Sequence, residues 1–181
     1  APLLTVSEAD QDYAHKMFRK LGMDSNPRYI LLHVRNNLDP NSLRNSKLEP
    51  YKKLVELAWD NGIYTIFIGD QSLNENIFST CPGFINYQLN QIKNERLTIA
   101  LFGLCTGMVS TTSGPMHLAS LFGKRIVWTN ACGLSKFAYI QNCSIVPKKW
   151  YRLNRKKSGV KVNSLVTFSE MKQKPKVFFN E

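Results

Sequence analysis

Segments with apolar residues at helical spacing alternate with short continuous apolar runs along the chain. Ser7 and Asp10 form a capping-box-like start to a helix whose apolar positions recur until Gly22. The following run, RYILLHV, is rich in residues with high β propensity, so it predicts a strand buried on both faces from Tyr29 to Val34. The chain therefore begins with a helix followed by a core strand.

The same alternation continues beyond this first pair. A second helix is predicted over LEPYKKLVELAWDNG, because Pro50 suits a first helical turn and Gly62 suits a C-terminal stop. We then predict strands over IYTIFIG, FINYQ, GMVSTT and RIVWT, with helices over ERLTIALFGLC and GPMHLASLFG. Strands separated by helices require right-handed crossovers. The pattern predicts an α/β, Rossmann-like, mostly parallel sheet with helices on both faces.

Composition limits the class of protein. A chain of 181 residues with 43% hydrophobic content can form one domain, or one lobe of a larger enzyme. No stretch reaches the about 18 apolar residues of a membrane span, and the start lacks a signal-peptide pattern, so we expect a soluble cytoplasmic chain. The first residue is Ala, which fits removal of an initiator Met or a fragment of a longer protein. The four cysteines show no metal-ligand spacing, and we expect reduced thiols and no metal.

The chain carries an excess of positive charge, formally +11, and the stretch VPKKWYRLNRKKSGVK contains no acidic residue. An anionic partner such as a membrane surface or a glycolipid phosphate is one interpretation, and a merely solvated basic face is the alternative. Trp150 and Tyr151 lie between cations, as in a surface that stacks nucleic-acid bases. The sequence has no helix-turn-helix, zinc-finger or RNA-recognition signature, so nucleic acid is the less favoured partner.

The segment after the predicted strand GMVSTT turns into a helix through Ser113, Gly114 and Pro115, here called the Ser-Gly-Pro turn. We expect Gly114 to adopt backbone angles closed to other residues and to let a ligand approach the main chain, and Pro115 suits the first helical position. Thr111 and Thr112 add hydroxyl groups. Ligands of open parallel sheets bind beyond the carboxyl ends of the strands, so this turn predicts a diphosphate cradle. The alternative is an ordinary capped strand-to-helix turn.

A resemblance favours the cradle. The segment STTSGPMHLASLFGKRIV resembles the carboxyl-terminal lobe of heptosyltransferase-like, GT-B-fold glycosyltransferases. It departs from their pattern at Thr112, where an Asp is common, and at Arg125, which replaces a Pro. The first departure affects the loop that holds the donor.

The upstream segment ILLHVRNNLDPNSLRNSKLEPYKKLVELAWDNGIYTIFIGDQ resembles a less characterised set of bacterial glycosyltransferases. Its His-x-Arg at a strand end also resembles the fucosyltransferases, whose arginine there binds the nucleotide diphosphate. Both resemblances together cover roughly residues 1–131. The positions that match the upstream pattern are His33, Arg35, Arg44, Asn45, Tyr51, Gly69 and Asp70.

The resemblance implies a lobe that binds a nucleotide-sugar donor for transfer to a cell-surface glycan or glycolipid, without a cofactor or a metal. Negative charge on the departing diphosphate is typically met by backbone N–H groups and basic side chains in such enzymes. It also implies a missing amino-terminal lobe that carries the catalytic base. We expect a lead-in helix at 1–27, the donor lobe at 28–146, and a basic C-terminal segment at 147–181 that packs on or extends the lobe.

Two sets of candidate site residues follow. For three of the residues, another role is an alternative to donor binding. Arg44 could pair with Glu49, and Asp70 could cap a helix. His33 could be a hydrogen-bonded core residue that holds the loop, or a catalytic base. We expect His117 to bury against the sheet or to close over the phosphates. The candidates for the diphosphate are Arg35, Thr112, Ser113, Gly114, Pro115 and His117. Those for the rest of the donor are His33, Arg44, Asn45, Asp70, Gln71 and Asn130.

Three functional hypotheses stay open at this point. The first is a glycosyltransferase or its donor-binding lobe, peripheral at the inner face of a membrane if the basic segment binds lipid. The second is a non-catalytic nucleotide-binding or scaffolding module with the same fold. The third is a basic nucleic-acid-binding protein.

Overall fold

A computed structural model describes residues 1–36, 42, 44–69, 77–131 and 142–149, and the backbone of two strands at 151–155 and 161–165. The helices are Glu8–Lys20 (α1), Lys52–Asp60 (α2), Glu95–Leu104 (α3) and Pro115–Leu121 (α4). The strands are Tyr29–His33 (β1), Tyr64–Phe67 (β2), Phe84–Asn86 (β3), Gly107–Ser110 (β4), Arg125–Ala131 (β5), Cys143–Pro147 (β6), Tyr151–Arg155 (β7) and Lys161–Leu165 (β8). Short 3-10 turns occupy Glu49–Tyr51 and Tyr87–Leu89.

Six strands form one sheet in the order β3-β2-β1-β4-β5-β6, and every pair in it is parallel. The predicted α/β, Rossmann-like class is confirmed. The chain adds strands outward from β1 in one direction and then, from β4, in the other. The gap beyond the carboxyl ends of β1 and β4 is therefore the topological switch point, where ligands of such sheets bind.

Helices cover both faces of the sheet, as predicted. Neighbouring residues of a strand point to opposite faces, so Leu31 and Ile66 pack with α1, α3 and α4, whereas Leu32 and Phe67 pack with Val55 of α2. Trp128 of β5 is fully buried on the first of these faces. The sheet is thus the middle layer between two apolar clusters.

The first helix is an integral part of this packing. Ser7 caps it as predicted, because the Ser7 hydroxyl accepts a hydrogen bond from the Asp10 N–H at 3.2 Å. The bonds from Ser7 and from Arg96 of α3 lower the pKa of the Asp10 carboxyl below its usual value. Phe18 packs edge-on against Tyr29 of β1. The helix expected to lead into the lobe therefore shares its core, and the division at residues 27 and 146 stays a prediction.

Two parts of the fold were not predicted from the sequence. The edge strand β6 has only a short apolar run, Ile145 and Val146, which ends at Pro147 and is exposed. Strands β7 and β8 form an antiparallel pair inside the C-terminal segment, where high charge hides a strand pattern. Within the described part of the chain, no helix is long and apolar enough to cross a membrane.

Candidate functional site

The β1 and β4 strands are joined beyond their last ladder pair, at the switch point. The Thr111 N–H donates to the His33 carbonyl at 3.0 Å, and the Arg35 N–H donates to the Thr111 Oγ1 at 2.8 Å. The hydroxyl of Thr111 thus takes the place of a strand carbonyl. Arg35 therefore leaves the sheet at a fixed point beside the Ser-Gly-Pro turn.

Buried side chains hold the Ser-Gly-Pro turn in place. The Ser113 Oγ lies 3.3 Å from the His33 Nε2, and the Trp128 indole N–H donates to the Thr112 Oγ1 at 3.1 Å. His33, Thr112 and Ser113 are all buried. The contact of His33 is the loop-holding arrangement considered from the sequence. The hydroxyl groups fix the shape of the turn, and their part in phosphate binding stays a prediction.

The expectation that Gly114 adopts backbone angles closed to other residues is wrong. Its φ is −58° and its ψ is −45°, the backbone angles of the helix that Pro115 begins, so no positive φ requires glycine here, although a residue with a Cβ adopts these angles less readily before a proline. The second part of the expectation, that a ligand can approach the main chain here, stays a prediction. Among the residues that the structure describes, no heavy atom beyond the chain neighbours Ser113 and Pro115 lies within 4 Å of a Cβ built on Gly114.

His117 lies in the first turn of α4 and is exposed, whereas Met116 and Ala119 of the same helix are buried. The expectation that His117 buries against the sheet is therefore wrong, because α4 turns its Met116 and Ala119 face inward. A contact of His117 with phosphates stays a prediction. Helix α4 is only seven residues long, so the site depends mainly on the strand ends.

Arg35 is the basic residue that follows the carboxyl end of β1, beside the switch point. Its side chain is half-buried, and its Nε is shielded from solvent without a hydrogen bond to any residue that the structure describes. A shielded N–H donor without a partner is unfavourable, and an anion in the crevice would satisfy it. The peptide that carries this side chain is held on its other side too, because the Ser46 N–H donates to the Arg35 carbonyl at 2.9 Å.

The segment from Arg44 to Tyr51 folds back onto the end of β5. The Tyr51 hydroxyl and the Thr129 Oγ1 are 2.6 Å apart, and the Asn130 amide donates to the Ser46 Oγ at 2.8 Å. Burial raises the pKa of the Tyr51 phenol, and the hydrogen bond with Thr129 offsets part of that rise. Tyr51 therefore stays neutral at neutral pH, and uncharged polar groups make these contacts of the segment with β5.

Two further candidates lie on this segment. Arg44 is exposed, and the Asn45 carbonyl accepts a hydrogen bond from the Lys148 Nζ at 3.1 Å. The start of the basic C-terminal segment thus contacts the edge of the candidate site. Asp70 and Gln71 lie outside the described residues.

The structure brings His33, Arg35 and Ser113 together, with Asn45 and Asn130 toward β5. Sequence reasoning missed the contribution of Ser46, Thr129 and Lys148 to the site. Thr129 carried a weak signal, as a polar residue that ends an apolar strand. Ser46 and Lys148 carried none. Within the described ranges, no group of three or more His, Cys, Asp or Glu could hold a metal ion.

Comparison with known proteins identifies the fold. No family model matches the chain, and no curated protein sequence matches it. The structure of E. coli ADP-heptose LPS heptosyltransferase II matches with a TM-score of 0.60 at 17% identity, over 81% of this chain and 45% of that one. A family 9 glycosyl transferase from Veillonella parvula matches with a TM-score of 0.56 at 15% identity, over 80% and 42%.

The chain has a GT-B glycosyltransferase-like fold. The wall teichoic acid polymerase TagF supports the same assignment, with a TM-score of 0.53 at 12% identity over 77% of this chain and 36% of that one. The resemblance found in the sequence is thus confirmed as a likeness of fold. The chain spans less than half the length of each of these three structures.

Proposed function

We propose that this chain is the donor-binding lobe of a glycosyltransferase that takes a sugar from a nucleotide sugar. The observation that carries this proposal is the arrangement at the switch point. Arg35 leaves the sheet with both sides of its peptide held and with its Nε shielded but unpartnered among the described residues. In the turn that follows β4, a Cβ built on Gly114 would meet no heavy atom of the described residues beyond its chain neighbours, which supports a close approach of a ligand to the main chain.

The chemistry required of such a lobe is electrostatic. When the sugar leaves, negative charge develops on the diphosphate, and a preorganised cation next to it lowers the barrier. A guanidinium makes forked contacts to phosphate oxygens and stays charged at all relevant pH values. Arg35 supplies this charge from a fixed peptide, so the donor diphosphate is stabilised without a metal ion in the proposed mechanism.

The structural neighbours support the substrate class in general terms. One of them is named for ADP-heptose and lipopolysaccharide, and another for wall teichoic acid. A cell-surface glycan or glycolipid is accordingly the proposed acceptor class for this chain. The catalytic base and most acceptor contacts are assigned to an amino-terminal lobe, because this chain spans less than half of each neighbour.

Metal-independent binding of a nucleoside diphosphate is the first expected result. Thermal unfolding with ADP, UDP, GDP and CDP should show stabilisation by at least one of them, by about 2.7 kcal/mol at a concentration of about 100 Kd. EDTA should leave this stabilisation unchanged, and the matching nucleoside should give a much smaller one. Loss of binding in EDTA would contradict the electrostatic assignment, and absence of binding by all four would contradict the proposed function.

The basic C-terminal segment is proposed to bind an anionic membrane or glycolipid, separately from the donor. Lys148 contacts Asn45 and is therefore left unchanged in the test. Replacing Lys149, Arg155 and Lys156 together by Glu should weaken binding to anionic vesicles, more so at low salt, because ions screen the attraction between basic side chains and anionic lipid. Nucleoside diphosphate affinity should stay within about twofold of the parent, a difference below 0.5 kcal/mol. Equal loss of both activities would place these residues at the donor site.

A further inference from the structure

Asn130 interrupts the regular end of β5. The pairing of β5 with β6 shifts its register between Thr129 and Ala131, and Asn130 lies in the left-handed region with a φ of +49°. A bulge of this kind turns a side chain away from the direction that a regular strand would give it. Here the Asn130 amide donates to the Ser46 Oγ at 2.8 Å. The bulge therefore joins the end of β5 to the segment that follows β1.

Ser46 passes this contact on to Arg35. Ser46 is buried, and its backbone N–H donates to the Arg35 carbonyl at 2.9 Å. Two consecutive hydrogen bonds thus connect Asn130 with the peptide of Arg35. On its other side the same peptide is held by Thr111 at 2.8 Å. Removing the Asn130 amide would leave the Ser46 N–H bond to Arg35 in place but would release the Ser46 side chain from the end of β5.

The backbone angle adds an independent argument. A non-glycine residue with positive φ is strained by the order of 1 kcal/mol, although Asn tolerates this region better than most residues. Glycine would occupy the position without strain but would lack the amide. Strained residues cluster where the surrounding structure uses their geometry for function. The amide, with its bonds to Ser46 and to the Tyr51 phenol, is what Asn130 adds over a glycine.

We propose that Asn130 is a positioning residue for Arg35, acting through Ser46 to hold the guanidinium toward the diphosphate of the donor. This inference rests on the proposed function of Arg35 and names the second residue on which that function depends. Asn130 does not need to touch the donor in this role. It reduces the number of conformations that Arg35 adopts before the donor binds. The loss of conformational entropy when the diphosphate binds Arg35 is therefore smaller.

The test is a double-mutant cycle in the full chain, with Asn130→Gly as the variant that keeps the backbone conformation and removes the amide. The probe is whichever of ADP, UDP, GDP and CDP binds the parent most tightly, with its nucleoside as the control. Asn130→Gly should weaken diphosphate binding by about 2- to 12-fold, the range for one hydrogen bond. Nucleoside affinity should not change. Ser46→Ala, which leaves the bulge in place, should give the same loss.

The outcome in the Arg35→Ala background decides the inference. There, Asn130→Gly should cause no further loss, because its effect requires the guanidinium. The same fold loss in both backgrounds would show that Asn130 acts independently of Arg35, and it would overturn this inference while leaving the proposed function intact. An unchanged affinity of Asn130→Gly would also overturn it, as would equal losses for nucleoside and diphosphate. Normal diphosphate binding by Arg35→Ala alone would instead contradict the proposed function.

Discussion

Arg35→Ala is expected to lower the affinity for nucleoside diphosphate by about 1.5 to 3 kcal/mol, the range for a hydrogen bond to a charged group. That loss corresponds to roughly 12- to 160-fold in Kd. The reason is local, because the variant removes a guanidinium whose Nε is shielded from solvent and leaves the peptide bonds to Thr111 and Ser46 intact. The fold should therefore be retained, and the nucleoside without phosphates should bind as it binds the parent.

Isothermal titration of Arg35→Ala beside Arg28→Ala separates a specific contact from a change in net charge. Arg28 is exposed and directly precedes β1, so it lies at the amino end of the strand whose carboxyl end is followed by Arg35. Both variants lose one positive charge, but only Arg35→Ala should weaken diphosphate binding strongly. Arg35→Lys should lie between the two, because it keeps the charge and loses the forked geometry. Equal affinities for Arg28→Ala and Arg35→Ala would contradict a diphosphate contact of Arg35.

Most of the sheet could be predicted from the sequence because its inner strands are buried on both faces. A strand such as Tyr29–His33 shows this as an uninterrupted apolar run, and local signals mark the helix ends. Ser7 caps α1, and Gly62 ends α2 with a φ of +67°. The edge strand β6 was not predicted in the same way, because its apolar run, Ile145 and Val146, is short and ends at Pro147. Edge strands depend on the neighbour that they pair with.

The site was only partly predictable, for a related physical reason. The position of Arg35 just after a strand is a property of its own segment, and parallel strands bring their carboxyl ends to one edge. The contact of Asn130 with Ser46 joins residues 84 positions apart, and it depends on a bulge that arises from the pairing of β5 with β6. No local sequence pattern predicts such a contact. The backbone angles of Gly114 were predicted wrongly, because a glycine is compatible both with an unusual backbone angle and with close approach of a ligand to the main chain.

Gly114→Val distinguishes these two roles of glycine. The backbone at Gly114 has helical angles, which the ring of Pro115 disfavours for a residue with a Cβ, so the free energy of unfolding of Gly114→Val should fall by about 1–3 kcal/mol. The added methyl groups would occupy the open space beside the main chain. Nucleoside diphosphate affinity should therefore fall by about tenfold or more, equivalent to about 1.4 kcal/mol. Gly114→Ala should show a smaller loss in the same direction.

Gly22→Val is the matched control for this prediction. A Cβ on Gly22 also meets nothing within 4 Å, but its φ is +77°, and it lies between α1 and β1, toward the amino end of the sheet. Side chains in that backbone region are destabilised by roughly 1–2 kcal/mol. Gly22→Val should thus lower the melting temperature and leave diphosphate affinity unchanged, whereas Gly114→Val should lower the diphosphate affinity as well. If Gly114→Val bound the diphosphate as tightly as the parent, the phosphates would not approach the main chain at Gly114. The proposed site would then depend on Arg35 without the Ser-Gly-Pro turn.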